Sequence, residues 1–210
     1  TDGTTTSIVS ANQAAGFSIV EYTGPSTLNP GHGLGGTPEL IIVKGTSATS
    51  DWMVYNSFNG TGGYLSFTRN DQGGGTGTDA WQANANQFST VNATSFTTSD
   101  TGASVTYIAY CFKSITGYSK VGTYSGTGAA QTITTGFQPG FLMVKSSSHA
   151  SSWYIVDSAR TPNYFLSPNS NAAEYTDSGK ITFTSNGFTL GSTSYNNSGY
   201  TWIYLAIKEN

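Results

Sequence analysis

Charge is the scarcest commodity in this chain. Of its 210 residues, 8 are Lys or Arg and 11 are Asp or Glu, so 9% are charged and the formal net charge is -3. No basic cluster exists that would neutralise a run of phosphates, which excludes nucleic acid as a partner on electrostatic grounds. Cys111 is the only cysteine. It forbids an intrachain disulfide, and its place in the apolar run YIAYCF reads as that of a small buried hydrophobe. With two histidines, no HExxH and no paired cysteines, a zinc or iron site has almost no ligands to draw on. No apolar run approaches the roughly 20 residues a membrane helix needs, so membrane insertion is not expected. The first residues carry no basic-then-apolar leader pattern, which leaves secretion open.

What fills the chain instead is glycine, hydroxyl-bearing and amide side chains, and aromatics. There are 26 Gly, 4 Trp, 13 Tyr and 11 Phe. Aromatics in that number, concentrated in short apolar runs, mark a folded chain rather than a disordered one.

The runs recur. PELIIVK at 38–44 returns as PGFLMVK at 139–145, and each is followed eight residues past its lysine by a tryptophan, in DWMVYNS at 51–57 and SWYIVDS at 152–158. GFSIVEYTG at 16–24 matches GYSKVGTYSG at 117–126, YLSF at 64–67 matches YFLS at 164–167, and TYIAYCFK at 106–113 matches TWIYLAIK at 201–208. Five blocks in the same order indicate an internal duplication. The seam falls at Ser114–Thr116, giving an N-terminal extension over 1–15, a first repeat over 16–115 and a second over 116–210 packed closely on the first.

Each block is short and rich in Val, Ile, Thr, Tyr, Phe and Trp, and the joints carry NG, GG, SG and NN pairs, the pattern of strands and tight turns. No window of ten residues or more has a helical period. The expected fold is therefore all-β, an internally duplicated antiparallel β-sandwich of jelly-roll or lectin-like type with almost no helix. It is built either as two tandem sandwiches or as one interleaved sandwich. LIIV and FLMV lack polar alternation and read as central strands covered on both faces. In Thr201–Lys208 one face carries Trp202, Tyr204 and Ala206, and the aromatic side is expected to be partly covered by a second surface.

Catalytic constellations are not evident. His32 and His149 lie in loops whose surroundings do not match across the repeat, and no G-x-S-x-G elbow anchors a nucleophile. Glu21 and Glu39, the acids best placed for paired-carboxylate chemistry, have no acidic counterparts in the second copy. Asp71 and Asp79, in the glycine-rich run NDQGGGTGTD, offer hard oxygen ligands for calcium, although the spacing is not that of an EF-hand. Candidate ligand contacts are Trp81, beside that run and without a partner in the second copy, the duplicated Trp52 and Trp153, and the planar forks of Arg69 and Arg160. The duplication of Trp52 and Trp153 fits a structural role in each core first and a ligand contact second. Asn59, Asn92 and Asn196 each open an N-x-S/T tripeptide.

Taken in order, GFSIVEYTG, GHGLGGTPELIIVKGTSATSDWMVYNS, VTYIAYCFKSITGYSKVGTYSG, TGFQPGFLMVK, SSWYIVDSAR, SNGFTL and TWIYLAIKE resemble a family of uncharacterised domains. That family occurs in tail-fibre-like and other virion proteins of marine bacteriophages. The resemblance runs from about Gly16 to Glu209. It implies a lectin-like β-sandwich module in an adhesive or surface-exposed part of the particle, and no ligand residues are carried over. The expected role is a non-enzymatic virion surface protein, tail-fibre-like or a capsid decoration, that attaches to bacterial surface glycans. Its partners would be other virion proteins and itself, as a symmetric homo-oligomer with a trimer as the expected form. A secreted lectin or carbohydrate-binding module is the alternative, and a polysaccharide-degrading enzyme the third reading.

Overall fold

A computed structural model describes residues 2–24, 27–66, 82–83, 87–99, 104–160, 164–177, 181–191 and 194–209. None of them is helical, and the named strands pair antiparallel throughout. The fold is all-β and of sandwich type. The described residues divide into two compact units, one of residues 2–66 with 82–114 and one of residues 115–209.

The first unit has a large sheet in the order β1 (Ser7–Asn12), β2 (Phe17–Gly24), β10 (Val105–Phe112), β4 (Leu40–Gly45), β5 (Met53–Asn56), β6 (Gly63–Ser66) and β7 (Gln82–Ala83). A small sheet of β3 (Thr27–Leu28), β9 (Phe96–Ser99) and β8 (Thr90–Val91) forms its second layer. β10 alternates strictly between buried and half-buried positions. Its inward residues Val105, Tyr107, Ala109 and Cys111 join Val20, Tyr22, Ile41, Val43, Met53 and Tyr55 in one core with Leu28, Leu34, Phe88 and Phe96. Burial pushes the Cys111 thiol up to about 12, which leaves it unreactive as well as inaccessible. Residues 1–15, read as an extension, supply the edge strand β1.

The second unit repeats this plan for every strand but the edge strand β1. β11 (Ser119–Ser125), β19 (Thr201–Lys208), β13 (Pro139–Ser146) and β14 (Tyr154–Asp157) follow in the order of β2, β10, β4 and β5. β15 (Tyr164–Phe165) and β16 (Tyr175–Thr176) stand for β6 and β7, with β14 meeting the end of β15 through the Ile155–Leu166 bridge. The small sheet of β12 (Gln131–Thr134), β18 (Gly187–Leu190) and β17 (Ile181–Thr184) stands for β3, β9 and β8. The duplication read from five sequence blocks is thus a duplication of topology. β4 and β13 are central strands with most residues buried on both faces, as LIIV and FLMV suggested.

One expectation about β19 is corrected. Trp202, Tyr204 and Ala206 do not turn toward a second surface; they form the core face with Tyr124, Leu142, Val144, Val156 and Phe188. Ile203 and Leu205, on the other face, are buried as well. The aromatic side is favoured inside because Tyr124 stacks on its cross-strand partner Trp202 with centroids 6.1 Å apart, as Tyr22 stacks on Tyr107 at 5.5 Å in the first unit.

The β4–β5 and β13–β14 hairpins are held by the same set of contacts. Lys44 Nζ donates to the Ser50 carbonyl, and Lys145 Nζ to that of Ser151 at 2.9 Å. Ser50 Oγ accepts from Gly45 N at 3.0 Å, and Ser151 Oγ from Ser146 N at 3.4 Å. The loop is then tied to the closing strand: Thr46 N donates to Thr106 O and Ser147 N to Thr201 O, both at 2.8 Å, while Ser47 Oγ and Ser148 Oγ accept from the N–H of Thr106 and Thr201. The lysine that ends each block is a loop clamp.

Candidate functional site

The two copies, being nearly the same fold, act as each other's reference, and the places where they part are informative. At the end of β5, Asn56 Oδ1 accepts from Asn59 N at 3.0 Å; at the end of β14, Asp157 Oδ1 accepts from Arg160 N at 3.0 Å. The turn is the same, but the second copy has replaced two amides by an ion pair. Arg160 Nε donates to Asp157 Oδ2 at 2.8 Å, Nη2 lies 2.6 Å from the same oxygen, and Nη1 reaches Glu174 Oε2 at 3.4 Å. The guanidinium holds the Asp157 carboxyl below its ordinary range, and the carboxylates in turn raise the arginine. The pair is only partly buried, so its worth lies in fixing the fork rather than in stability.

Arg160 stands on the rim of a cleft of about 360 Å³ in the second unit. Val156, Ile181 and Phe183 give it an apolar wall, and Gln138, Asp157 and Arg160 a polar one. In the first copy Tyr55 occupies the place of Val156 and packs on Phe88 with centroids 5.6 Å apart. In the second copy the smaller Val156 lines the cleft. An amphipathic hollow with a pre-set planar donor is suited to a ring that is apolar on one side and hydroxylated at its edge.

The other sequence-nominated residues do not converge there. Trp153 is 1% exposed, and its backbone N–H donates to Asn169 Oδ1 at 2.9 Å. It is therefore a packing residue and offers no face to a ligand. Trp52 is half-buried, with Lys44 Nζ 6.0 Å from its ring centroid. Trp81, Arg69, Asp71 and Asp79 lie outside the described residues. Among the described residues no group of three or more His, Cys, Asp or Glu is placed to hold a metal ion. Phe183, Glu174 and Val156 were not singled out from the sequence. Aligning the copies at their offset would have shown Tyr55 lost to Val156 and Asn59 replaced by Arg160.

The histidines are structural or solitary. His32 is fully buried; its Nδ1 accepts from Leu34 N at 3.2 Å and its Nε2 lies 3.1 Å from the Asn92 carbonyl, which fixes the neutral ring with the proton on Nε2. Despite the unmatched sequence around it, it does have a counterpart: Thr135 Oγ1 accepts from Phe137 N two residues on in the same way. His149, exposed, stacks on Tyr200 with centroids 3.6 Å apart. Asn196 is fully buried and holds Thr127, Ala129 and Gln131, so its tripeptide is not a surface acceptor. A second hollow, of about 350 Å³, lies along Asp2–Ser7 and Gly31–Gly33 in the first unit. Among the described residues lining it, Asp2 is the one charged side chain.

The chain matches, over residues 1–210, the family described as Domain of unknown function (DUF7483). It belongs to that family. No curated protein and no solved structure matches it. The family's description assigns no activity, so a functional reading has to come from the cleft and its differences from the first copy.

Proposed function

We propose that this DUF7483 chain is a non-enzymatic surface component of a bacteriophage particle, tail-fibre-like or a capsid decoration, that attaches to glycans of the bacterial surface through the second-copy cleft. The observation that carries the attachment is the divergence at Val156 and Arg160: one copy has the Tyr55 ring packed on Phe88, and the other has Val156 lining a cleft with a fixed guanidinium beside it. The virion setting rests on the resemblance of the ordered blocks. The low charge supports it, since a Ser-, Thr- and Asn-rich surface can be covered in an assembly without desolvating ions.

Symmetric self-assembly belongs to the same proposal. β1 is an unbulged edge strand of six residues, SIVSAN, with neither charge nor proline to guard it, and Ile8 is 72% exposed. A secreted lectin with the same cleft is the second reading, favoured by the same divergence and distinguished by the absence of particle partners.

An array of bacterial surface polysaccharides, probed with the purified protein, tests the attachment. Saturable binding to at least one glycan is expected. Release of reducing sugar would instead point to an enzyme, and no binding on any spot would leave a purely architectural protein.

A further inference from the structure

Resting on that attachment reading, we infer that the cleft selects an uncharged sugar ring and discriminates against acidic glycans such as those containing uronic acids. A lone arginine on a cleft rim ordinarily suggests an anionic ligand. Here the bonding around Arg160 points the other way.

Asp157 is the holder of the fork and not a ligand contact. Its Oδ1 takes the backbone N–H of Arg160, and its Oδ2 takes Nε and faces Nη2 at 2.6 Å, so both oxygens are engaged by Arg160. Arg160 Nη2 is buried against Asp157, so the N–H that Arg160 keeps for a ligand is the one on Nη1 not used by Glu174, aimed by a rigid support. The charge of the arginine is more than cancelled. Asp157 and Glu174 bind it directly, two carboxylates against one guanidinium. A ligand carboxylate would therefore enter a negative surrounding to reach a guanidinium already neutralised.

A neutral ring meets no such penalty. A hydroxyl oxygen accepts from the remaining Nη1 N–H of Arg160, its hydroxyl protons reach Glu174, the most exposed member of the network, and its C–H face lies on Phe183. The cleft volume, about 360 Å³, sits at the small end of the roughly 300–1,000 Å³ of ligand sites and suits a single ring of a chain or its terminus.

The test is a charge-graded set of oligosaccharides, with neutral fragments from dextran and mannan and uronic fragments from alginate and polygalacturonate. Binding to the intact chain is read by titration calorimetry. The expected result is binding to a neutral member at least tenfold tighter than to any uronic one. It should weaken at least tenfold in Arg160→Gln, with the thermal midpoint used to show that the variant is folded. Glu174→Gln, which removes one negative charge on the exposed rim, is expected to narrow the neutral-over-uronic preference. Tighter binding of uronic fragments would overturn the charge argument and leave glycan attachment standing. Neutral binding indifferent to both Arg160→Gln and Glu174→Gln would overturn the site. No binding by either set, together with an empty polysaccharide array, would overturn the attachment reading itself.

Discussion

Gly122 and Tyr204 face each other across β11 and β19, where the first copy has Val20 and Ala109 across β2 and β10. A Cβ on Gly122 would stand 2.3 Å from the Tyr204 ring, so the two copies fill one core position with different pairs, small–large in one and medium–small in the other. Gly122→Val alone is expected to cost about 1–3 kcal/mol or more by overpacking. Adding Tyr204→Ala should recover part of that loss, because the double variant reproduces the first-copy pair. A coupling of the two of ~1 kcal/mol or more in a denaturant cycle would verify it, and simple additivity would contradict it. His32 gives a second test at this scale. Burial lowers its affinity for protons, outweighing the Asn92 carbonyl and Asp2, and its Nδ1 already accepts a hydrogen bond. The unfolded chain therefore binds a proton that the folded chain refuses. The stabilising contribution of the neutral ring is full above the unfolded value of about 6.5 and is lost as pH falls from there toward the lower folded value. Stability measured between pH 7 and 5 should fall more steeply in the native chain than in His32→Thr, which borrows the solution of Thr135. Equal slopes would remove His32 from the account.

At the level of elements, the hairpin clamps explain why Ser-rich loops, GTSATS and SSSHAS, recur beside the repeated lysines. Each serine hydroxyl replaces a partner that a backbone group at a sharp turn would otherwise lack. Ser50→Ala and Ser151→Ala should each destabilise by about 1 kcal/mol, measured by chemical unfolding, and by similar amounts because the geometry is shared. A pronounced inequality would mean that the two loops are held differently. The strands themselves were legible in the sequence: EYTG, ELIIVK, WMVYNS, YLSF, TYIAYCFK, KITFTS, GFTLG and TWIYLAIK fall on β2, β4, β5, β6, β10, β17, β18 and β19. Period-two alternation and turn residues carry that information locally. β1 was not read as a strand because SIVSAN alternates weakly and its pairing with β2 is a tertiary choice. Which face of β19 enters the core was also beyond local pattern, since both faces are apolar and only the stacking partner Tyr124 on β11 decides between them.

For the molecule as a whole, the duplication was plain in the sequence, and the site was only partly so. Arg160 could be nominated as a scarce cation, yet its partner Glu174 is fourteen residues away, and the cleft is lined by Val156 where the first copy has Tyr55, a difference no motif announces. Trp153 could be read two ways, with core packing first. A large aromatic residue is suited both to a core and to a sugar face, and burial settles which. Everything functional hangs on one difference: Val156 and Arg160 line a cleft in the second copy, where the first copy has Tyr55 and Asn59. The most direct test is Val156→Tyr, which imports the ring of Tyr55, compared with the native chain in titrations against a neutral oligosaccharide bound by the native protein. The account predicts that binding falls at least tenfold while the variant unfolds cooperatively as a folded protein. Undiminished binding to a well-folded Val156→Tyr chain would contradict it.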